Sequence, residues 1–228
     1  MKSRNLVFVV AHPDDLAHGM GGTCCLLRGK YKLHVICATK GERGVKGKSH
    51  SEAAAIREKE EAAVCKALGA SLTFLGRING DLFADQETCQ LVASKLKKLN
   101  PLAVFSLWPV NRHPDHVSVY AIAVKALELA GLTDKAEFYM CEGVLGITNQ
   151  FVPDILVDIS SVADEKRSFA RMHRSQNPTE DRVERVMSRN VFRGKFIGCE
   201  YAEAFKTLAP LSVGGGNGRR WTVLGNLR

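Results

Sequence analysis

Two short clusters of histidine and aspartate carry the residue types that a catalytic metal site requires. They occupy residues 11–15 (Ala-His-Pro-Asp-Asp) and 113–116 (His-Pro-Asp-His). Two imidazoles and one carboxylate are a common ligand set for a catalytic divalent metal, and such a set leaves positions open for water and substrate. His12 and Asp15 are three residues apart and can bind one ion together, and His116 can supply the third bond. The spacing therefore predicts a metal site formed by these three side chains.

Three further polar side chains remain in the two clusters. A bound metal lowers the pKa of water from 15.7 towards ~7, so Asp14 is a strong enough base to take the water's proton. A protonated His113 can stabilise an oxyanion or give a proton to a departing amine. Asp115 can orient a neighbouring imidazole from outside the ligand set. Together these groups indicate metal-assisted hydrolysis of a carbonyl compound.

The segments that must position the clusters alternate between strand and helix patterns. Strands are predicted over residues 6–10, 33–38, 71–75, 102–107, 137–141 and 155–159, and helices over 17–28, 51–68, 85–99, 116–130, 161–175 and 181–193. This alternation with short connections predicts an α/β fold, a three-layer, doubly wound, Rossmann-like and mostly parallel sheet. We expect a single domain over residues 1–228, in which residues 161–228 form a helical and loop elaboration.

This fold explains how two clusters that are far apart in the chain can meet. One cluster directly follows the first predicted strand, and the other comes soon after the fourth. The carboxyl ends of parallel strands lie on one edge of the sheet, where such folds bind their ligands. We therefore expect both clusters at the same edge.

Composition narrows the class of protein further. The chain has 228 residues, 45% of them hydrophobic and 25% charged, which excludes a disordered or fibrous protein. Lys and Arg exceed Asp and Glu by 32 to 24, giving a net charge of +8. A basic nucleic-acid-binding protein is therefore one alternative, but the cations are scattered among acids and form no stripe with aromatic residues. The glycine pattern at residues 19–22 is not GxGxxG, which disfavours a dinucleotide-binding oxidoreductase.

Several features indicate a cytoplasmic protein. The seven cysteines form no CxxC pair, and a reducing compartment explains free thiols in apolar stretches. The apolar run at residues 6–11 is too short for a signal peptide, and no run of 18 apolar residues occurs that would cross a membrane. The glycine-rich segment at residues 214–218 is predicted to be a flexible loop.

Further motifs support a resemblance to a known family. They are residues 21–23 (Gly-Gly-Thr), 39–44 (Thr-Lys-Gly-Glu-Arg-Gly) and 173–176 (His-Arg-Ser-Gln), and Arg57 with Glu60 on the long helix. With the two clusters, they make roughly residues 5–206 resemble the LmbE/PIG-L family of metal-dependent N-acetylglucosamine deacetylases. The resemblance implies Zn²⁺, or Fe²⁺ in some members, bound by the residues matching His12, Asp15 and His116. It also implies Asp14 as general base, His113 as an electrostatic or acid catalyst, and Arg57 as a contact to the sugar.

Two features resemble one branch of this family, the bacillithiol-pathway enzymes that are similar to N-acetylglucosaminyl-malate deacetylases. They are Arg112, directly before the second cluster, and residues 198–205. The resemblance implies that Tyr201 approaches the site and helps to polarise the amide oxygen, although a core aromatic is the alternative. Arg112 suits an anionic aglycone such as malate, because a guanidinium group binds carboxylate through two hydrogen bonds.

The sequence departs from the family pattern at two places. Leu16 stands where many members have Glu, and we expect this change to tune activity because the metal set does not need that residue. Asn79 and Asp81 lie in the region where a family Asp contacts the sugar hydroxyls, and the sequence leaves open which of them takes this role. His18 is expected to lie near the site or at the surface and not to be a fourth ligand.

The predicted function is that of a zinc-dependent deacetylase, a hydrolase acting on a linear amide C–N bond. We expect it to hydrolyse the acetamide of an N-acetylglucosamine conjugate of the malate type, by a metal-activated water with Asp14 as general base. The closest alternative is an amidase on the same scaffold that acts on thiol S-conjugates or an antibiotic glycoside. The expected partner is a small amino-sugar conjugate, with no nucleic acid and no membrane, and the expected assembly is a homo-oligomer.

Overall fold

Strands and helices alternate along the first two thirds of the chain, as the computed structural model shows for residues 4–143, 151–208, 222–225 and 227. The elements are β1 Asn5–Val10, α1 Asp15–Leu27, β2 Lys32–Thr39, α2 His50–Leu68, β3 Ser71–Arg77, α3 Gln86–Leu99, β4 Ala103–Leu107, α4 Pro114–Ala130, β5 Glu137–Cys141, β6 Ile155–Asp158, a 3₁₀ turn Ser160–Val162, α5 Ala163–Met172, α6 Glu180–Gly194, β7 Ala202–Thr207 and α7 Thr222–Gly225.

The described strands form one seven-stranded sheet in the order β3-β2-β1-β4-β5-β7-β6. The first five strands of this order are parallel, and β7 runs antiparallel to both of its neighbours. The predicted mostly parallel α/β class is therefore confirmed. The chain leaves β1 towards β2 on one side, whereas β4 pairs with β1 on the other. Ligands bind at such a reversal of strand order, beyond the carboxyl ends of the strands.

The two central strands, β1 and β4, are buried over almost their whole length. Phe8 of β1 stacks on Phe105 of β4 with ring centroids 4.7 Å apart, and Phe105 stacks in turn on Tyr139 of β5 at 4.9 Å. Each such side chain contributes about 1.5–3 kcal/mol through burial. This packing fixes the strands from which the two His/Asp clusters emerge.

Local signals explain where the helices begin. Helix α2 starts with a capping box, in which Ser49 and Glu52 satisfy each other's backbone N–H groups. Helix α4 starts at Pro114 and not at residue 116 as predicted, because proline at the first helical position has a preset φ and no N–H to satisfy. Helix α1 likewise starts at Asp15, two residues earlier than predicted. Both clusters therefore lie at the N-termini of helices.

No pattern in the sequence predicts strand β7. Glu203 and Lys206 interrupt the apolar pattern of this strand, and its place in the sheet comes from antiparallel pairing with β5 and β6. The helix predicted over residues 161–175 is a 3₁₀ turn followed by the shorter α5. The predicted loop at residues 214–218 lies outside the described residues.

The cysteines and the apolar content of the helices also bear on the predictions from the sequence. All seven cysteines are free, and six of them are buried. None of the helices in the described part of the chain is both long and apolar enough to cross a membrane.

Candidate metal and catalytic site

The loops that follow β1 and β4 bring the three predicted ligands together. Nδ1 of His12 lies 3.2 Å from Nε2 of His116, and Oδ1 of Asp15 lies 3.2 Å from the same Nε2. Oδ2 of Asp15 is 3.8 Å from Nδ1 of His12. All three side chains are buried. Nδ1 of His12 and Oδ1 of Asp15 therefore meet at Nε2 of His116, although about a hundred residues separate them from it in the sequence.

Asp115 determines which nitrogen of His12 carries a proton. Its Oδ2 is 2.8 Å from Nε2 of His12 and also accepts a hydrogen bond from the Gly80 N–H at 2.7 Å. Burial opposes ionisation of Asp115, but the bonds from His12 and Gly80 hold its pKa below the usual value. Because a carboxylate can only accept, the His12 proton lies on Nε2. The lone pair of Nδ1 in the neutral ring then faces Asp15 and His116.

His113 is the N-cap of α4, and its two ring nitrogens have the reverse of the roles that they have in His12. Its Nδ1 accepts the backbone N–H of Asp115 at 3.2 Å, so the neutral ring carries its proton on Nε2. The ring lies edge-on to His12 and stacks on His116, with centroids 4.6 and 5.1 Å away. Burial, followed by repulsion from these two imidazoles, lowers the pKa of His113.

Four side chains are candidates for the metal ligands, namely those of His12, Asp15, His113 and His116. Ring nitrogens of His12, His113 and His116 lie within 4.8 Å of one another, which is close enough for one ion. However, a His113 ring that accepts at Nδ1 has its proton on Nε2 and offers no lone pair there. Asp15 does offer one, so the set of His12, Asp15 and His116 fits a divalent cation better than the three histidines do.

The electrostatics of Asp15 suit a cation. Burial alone would raise the pKa of this carboxyl, but interactions with His116 and His12 hold the pKa well below its usual range. Oδ2 also accepts the backbone N–H groups of Ala11 and His12, at 3.0 and 2.8 Å. The pKa of His116 is raised despite burial, chiefly by Asp15. Nδ1 of His116 is buried without a hydrogen-bond partner among the described residues. An ionised carboxylate between two imidazoles is the donor chemistry that Zn²⁺ or Fe²⁺ accepts.

Asp14 has an unusual backbone conformation. Its φ of 111° and ψ of −26° lie at positive φ, where non-glycine residues cost about 1–3 kcal/mol. Three contacts hold it in place. Oδ1 is 3.2 Å from Nη2 of Arg57, Oδ2 is 3.8 Å from Nδ1 of His18, and the Asp14 N–H donates to Oε2 of Glu61 at 3.1 Å. Strain retained in this way is typical of functional positions.

Arg57 lies deeper than the sequence suggested for a sugar contact. It is only 4% exposed, and its Nη2 donates to the carbonyl of Pro13 at 2.5 Å. A Cβ at Gly41 or Gly44 would come within 2.4 or 2.3 Å of its Nη1, so these glycines make room for the guanidinium group. Gly41 also adopts a φ of 64°. The structure thus places Arg57 against Asp14, and its contact to a sugar stays a prediction.

The remaining predicted substrate contacts differ in their burial and in their partners. Asn79 is buried, and its backbone N–H donates to Glu42 at 2.7 Å in the loop that Asp115 also binds. Arg112 is exposed one residue before His113. Asp81 is exposed and paired with Arg43 at 2.7 Å.

Tyr201 is the predicted site residue that the structure does not bring to the clusters. Its hydroxyl accepts a hydrogen bond from Nη2 of Arg167 at 3.2 Å, and the Arg167 guanidinium lies 5.7 Å from the ring centroid. Within the described residues, no hydrogen bond or ion pair links Tyr201 to the His/Asp clusters. Its role in catalysis stays a prediction.

Two residues behind Asp14 have no role predicted from the sequence, where His173 is named only as part of the motif at residues 173–176 and Glu61 is not singled out. Glu61 and His173 are fully buried, and Nε2 of His173 is 3.4 Å from Oε2 of Glu61. Burial raises the pKa of Glu61 to about 8 and lowers that of His173 well below its usual value. The available signal was the spacing from Arg57 to Glu61, which puts a second charged residue on the buried stripe of α2.

Comparison with known proteins identifies the class to which this fold and site belong. The model of the PIG-L family, described as GlcNAc-PI de-N-acetylase, matches residues 7–127, which is more than half of the chain. The chain therefore belongs to the PIG-L family. This match includes both His/Asp clusters and helix α2.

Individual relatives match along most of their length. The chain is 28% identical to the probable N-acetyl-alpha-D-glucosaminyl L-malate deacetylase 2 of Bacillus cereus, over 89% of this chain and 98% of that one. The structure of the N,N'-diacetylchitobiose deacetylase from Pyrococcus horikoshii in complex with an inhibitor is similar, with a TM-score of 0.80 and 26% identity over 91% of this chain and 84% of that one. The 4-oxalmesaconate hydratase of Pseudomonas putida is 26% identical, over 91% and 90%.

Proposed function

We propose that this protein is a metal-dependent de-N-acetylase that hydrolyses the acetamide of an N-acetylglucosamine conjugate. The observation that carries the proposal is the meeting of His12, Asp15 and His116, with both 3.2 Å distances on one nitrogen of His116. Two of the relatives described above are named as deacetylases of N-acetylated amino sugars, and the family description names the same reaction.

The proposed ligands are His12 through Nδ1, Asp15 through its carboxylate and His116 through Nε2. A divalent cation such as Zn²⁺ or Fe²⁺ bound there would supply Lewis acidity and lower the pKa of a water. Asp115 supports this arrangement because it fixes the His12 tautomer. A cation there would bind the lone pair of Nε2 of His116, which requires that this nitrogen carries no proton.

Asp14 acts as the general base in this proposal. One of its carboxylate oxygens is oriented by Arg57, and the carboxylate takes a proton from the attacking water. The water oxygen then forms a bond to the acetamide carbon. When the C–N bond breaks, Asp14 returns the proton to the amine, so that acetate and a free amino sugar leave.

His113 stabilises the oxyanion that develops on the amide oxygen. With Nδ1 accepting from the Asp115 N–H, its Nε2–H is the available donor. A neutral donor suffices for this role, and the lowered pKa of His113 favours it over a protonated imidazole. The alternative of a protonated His113 is opposed by the burial that lowers the pKa of the ring.

The proposed substrate contacts follow from exposure and pairing. Arg112 is exposed beside the site and makes no ion pair with any residue that the structure describes, so it can bind a carboxylate of the aglycone such as that of malate. Asn79 is a better candidate for the sugar hydroxyls than Asp81, because Asp81 is already paired with Arg43. The Tyr201 hydroxyl accepts from Arg167 and keeps its O–H, which is the donor that polarising the amide oxygen would need.

The test is product analysis with the purified enzyme and N-acetylglucosaminyl malate. We expect acetate and free amine in equal amounts, with at least a 100-fold lower turnover in Asp14→Ala at unchanged metal content. Lys59→Gln, a change at an exposed position of α2, is the control. Because one relative is named a hydratase, the products and not only substrate loss must be identified. Unchanged deacetylation in Asp14→Ala would remove this residue from the mechanism.

A panel of substrates distinguishes the proposed de-N-acetylase from the alternative, an amidase on the same scaffold. Faster cleavage of thiol S-conjugates, or of bulky acyl groups on an antibiotic glycoside, would favour it over the de-N-acetylase. Steeply salt-dependent binding of DNA or RNA would instead favour the nucleic-acid-binding alternative.

A further inference from the structure

Helix α2 places two ionisable residues on its buried stripe. Arg57 and Glu61 are one turn apart and 4% and 0% exposed, on the same side as Ala53, Val64 and Leu68. An amphipathic helix normally buries apolar residues at these positions. A buried carboxyl costs free energy unless it is hydrogen-bonded, so its partners indicate what it does.

Both residues have a partner at one peptide, the one that joins Pro13 to Asp14, although Arg57 also donates to the Gly41 carbonyl and Glu61 accepts from the Cys65 thiol. Arg57 donates to the Pro13 carbonyl and pairs with the Asp14 carboxylate, and Glu61 accepts the N–H of Asp14 at 3.1 Å. Glu61 therefore holds the backbone of Asp14, while Arg57 holds its side chain. No hydrogen bond or ion pair joins Glu61 to His12, Asp15 or His116 within the part of the chain that is described.

This peptide is the strained one. Only Asp14 and Asn100 have positive φ among the described non-glycine residues. Asn100 ends α3 in the left-handed conformation, where asparagine is common. Asp14 precedes a helix at a φ of 111°, so no capping preference explains it. The conformation must be held by neighbours, and Glu61 is the one that binds its N–H.

We propose that Glu61 is a positioning residue for Asp14, which keeps the strained backbone in the conformation from which the carboxylate can act. Nε2 of His173 lies 3.4 Å from Oε2 of Glu61 but makes no hydrogen bond within the described residues, so the proposed positioning acts through the Asp14 N–H alone. This inference rests on the proposed role of Asp14, and Glu61 itself touches neither substrate nor metal ligands.

The test compares Glu61→Leu with Glu61→Gln. Glutamine keeps an oxygen that can accept the Asp14 N–H, and leucine does not. We expect leucine to lower kcat by about 100-fold, as a small misplacement of a reacting group does, with KM and bound metal unchanged. Glutamine should restore kcat to within a few-fold of wild type. Lys59→Gln at an exposed position of the same helix should have no effect.

A double-variant cycle shows whether Glu61 acts through Asp14. In the Asp14→Ala background, Glu61→Leu should cause no further fall in kcat. Equal losses in the leucine and glutamine variants, a further fall in the Asp14→Ala background, or loss of metal in step with activity would overturn the proposal.

Amide hydrogen exchange at Asp14 gives a readout that needs no turnover. The Asp14 N–H should be protected in wild type and Glu61→Gln, and should exchange at least tenfold faster in Glu61→Leu. Unchanged protection in the leucine variant would contradict the proposal. If the wild type releases no acetate, the proposed function fails, whereas an active wild type with an unaffected Glu61→Leu variant refutes only the positioning role.

Discussion

At the scale of single residues, the hydrogen bond made by one ring nitrogen of a histidine decides what the other ring nitrogen can do. His12 and His113 are both imidazoles at one site, but Asp115 accepts from the first through its carboxylate and donates to the second through its backbone N–H. The lone pair of His12 is thereby directed to the ligand set, and His113 is left as a donor. This difference separates the proposed ligand His12 from the proposed catalytic donor His113.

The first prediction concerns Asp115. Asp115→Asn should weaken metal binding by about 10–100-fold, because the amide can present its NH₂ group to His12 and no longer enforces one tautomer. Competition with a coloured chelator measures the metal affinity. Affinity equal to that of wild type would show that Asp115 does not set the His12 tautomer.

A second prediction follows from the raised pKa of Glu61. Its pKa is about 8 in the folded protein, against 4.5 as the ordinary value. Between these values the folded state binds more protons than the unfolded state, so this group's contribution to stability is complete below about pH 4.5 and is lost as the pH rises through 8. The free energy of unfolding of metal-free wild type should therefore fall relative to that of Glu61→Gln from pH 5 to pH 9. Denaturant melts across this range measure it, and parallel curves would contradict the burial of a protonated Glu61.

At the scale of elements, α1 carries Asp15 and is held by charges from two later segments. Lys166 of α5 and Glu203 of β7 form a completely buried ion pair at 2.5 Å. Glu203 accepts the N–H groups of Gly22 and Thr23, at 2.9 and 2.7 Å. Lys166 also donates to the His18 carbonyl at 3.0 Å. The C-terminal third of the chain therefore fixes the helix that begins at the site.

The third prediction tests this ion pair. Lys166→Ala should destabilise the fold by about 3–5 kcal/mol, because it leaves the Glu203 carboxylate buried without its counter-charge. Lys125→Ala, which removes an exposed pair with Glu128, should cost less than about 1 kcal/mol. Urea unfolding of both variants gives the comparison. Equal costs would show that burial of the pair has no energetic consequence.

Whether a strand or loop could be predicted from the sequence depends on whether its neighbours are close in the chain. The parallel strands and the meeting of the His12 and His116 loops could be predicted, because apolar runs identify buried strands and topology places their carboxyl ends together. Strand β7 could not, because Glu203 is tolerated in a buried strand only through Lys166 and the amides of α1. The burial of Arg57 depends in the same way on Gly41, which is distant in the sequence. Contacts of this kind become visible only in three dimensions.

At the scale of the whole molecule, the proposed cation joins two halves of the sheet. Its ligands come from the loop after β1 and from the start of α4 after β4, on the two sides of the point where strand order reverses. A ligand that binds only the folded protein stabilises it by about 2.7 kcal/mol at 100 times its dissociation constant. Cation binding should therefore be coupled to global stability.

The fourth prediction is that Zn²⁺ or Fe²⁺ raises the midpoint of thermal unfolding of the metal-stripped protein, and that His116→Ala abolishes the increase. His34→Ala, a change on β2 away from the clusters, is the control and should keep the increase. Scanning calorimetry at several metal concentrations measures both. An equal increase in His116→Ala would place the stabilising cation elsewhere.

The most direct test of the account is acetate release by metal-stripped protein as Zn²⁺ or Fe²⁺ is added back, measured for wild type and His116→Ala with N-acetylglucosaminyl malate. We predict no turnover without metal, recovery that is complete at one cation per chain in wild type, and neither stoichiometric binding nor recovery in the variant. Full deacetylation by the stripped wild type, or stoichiometric recovery in His116→Ala, would contradict it.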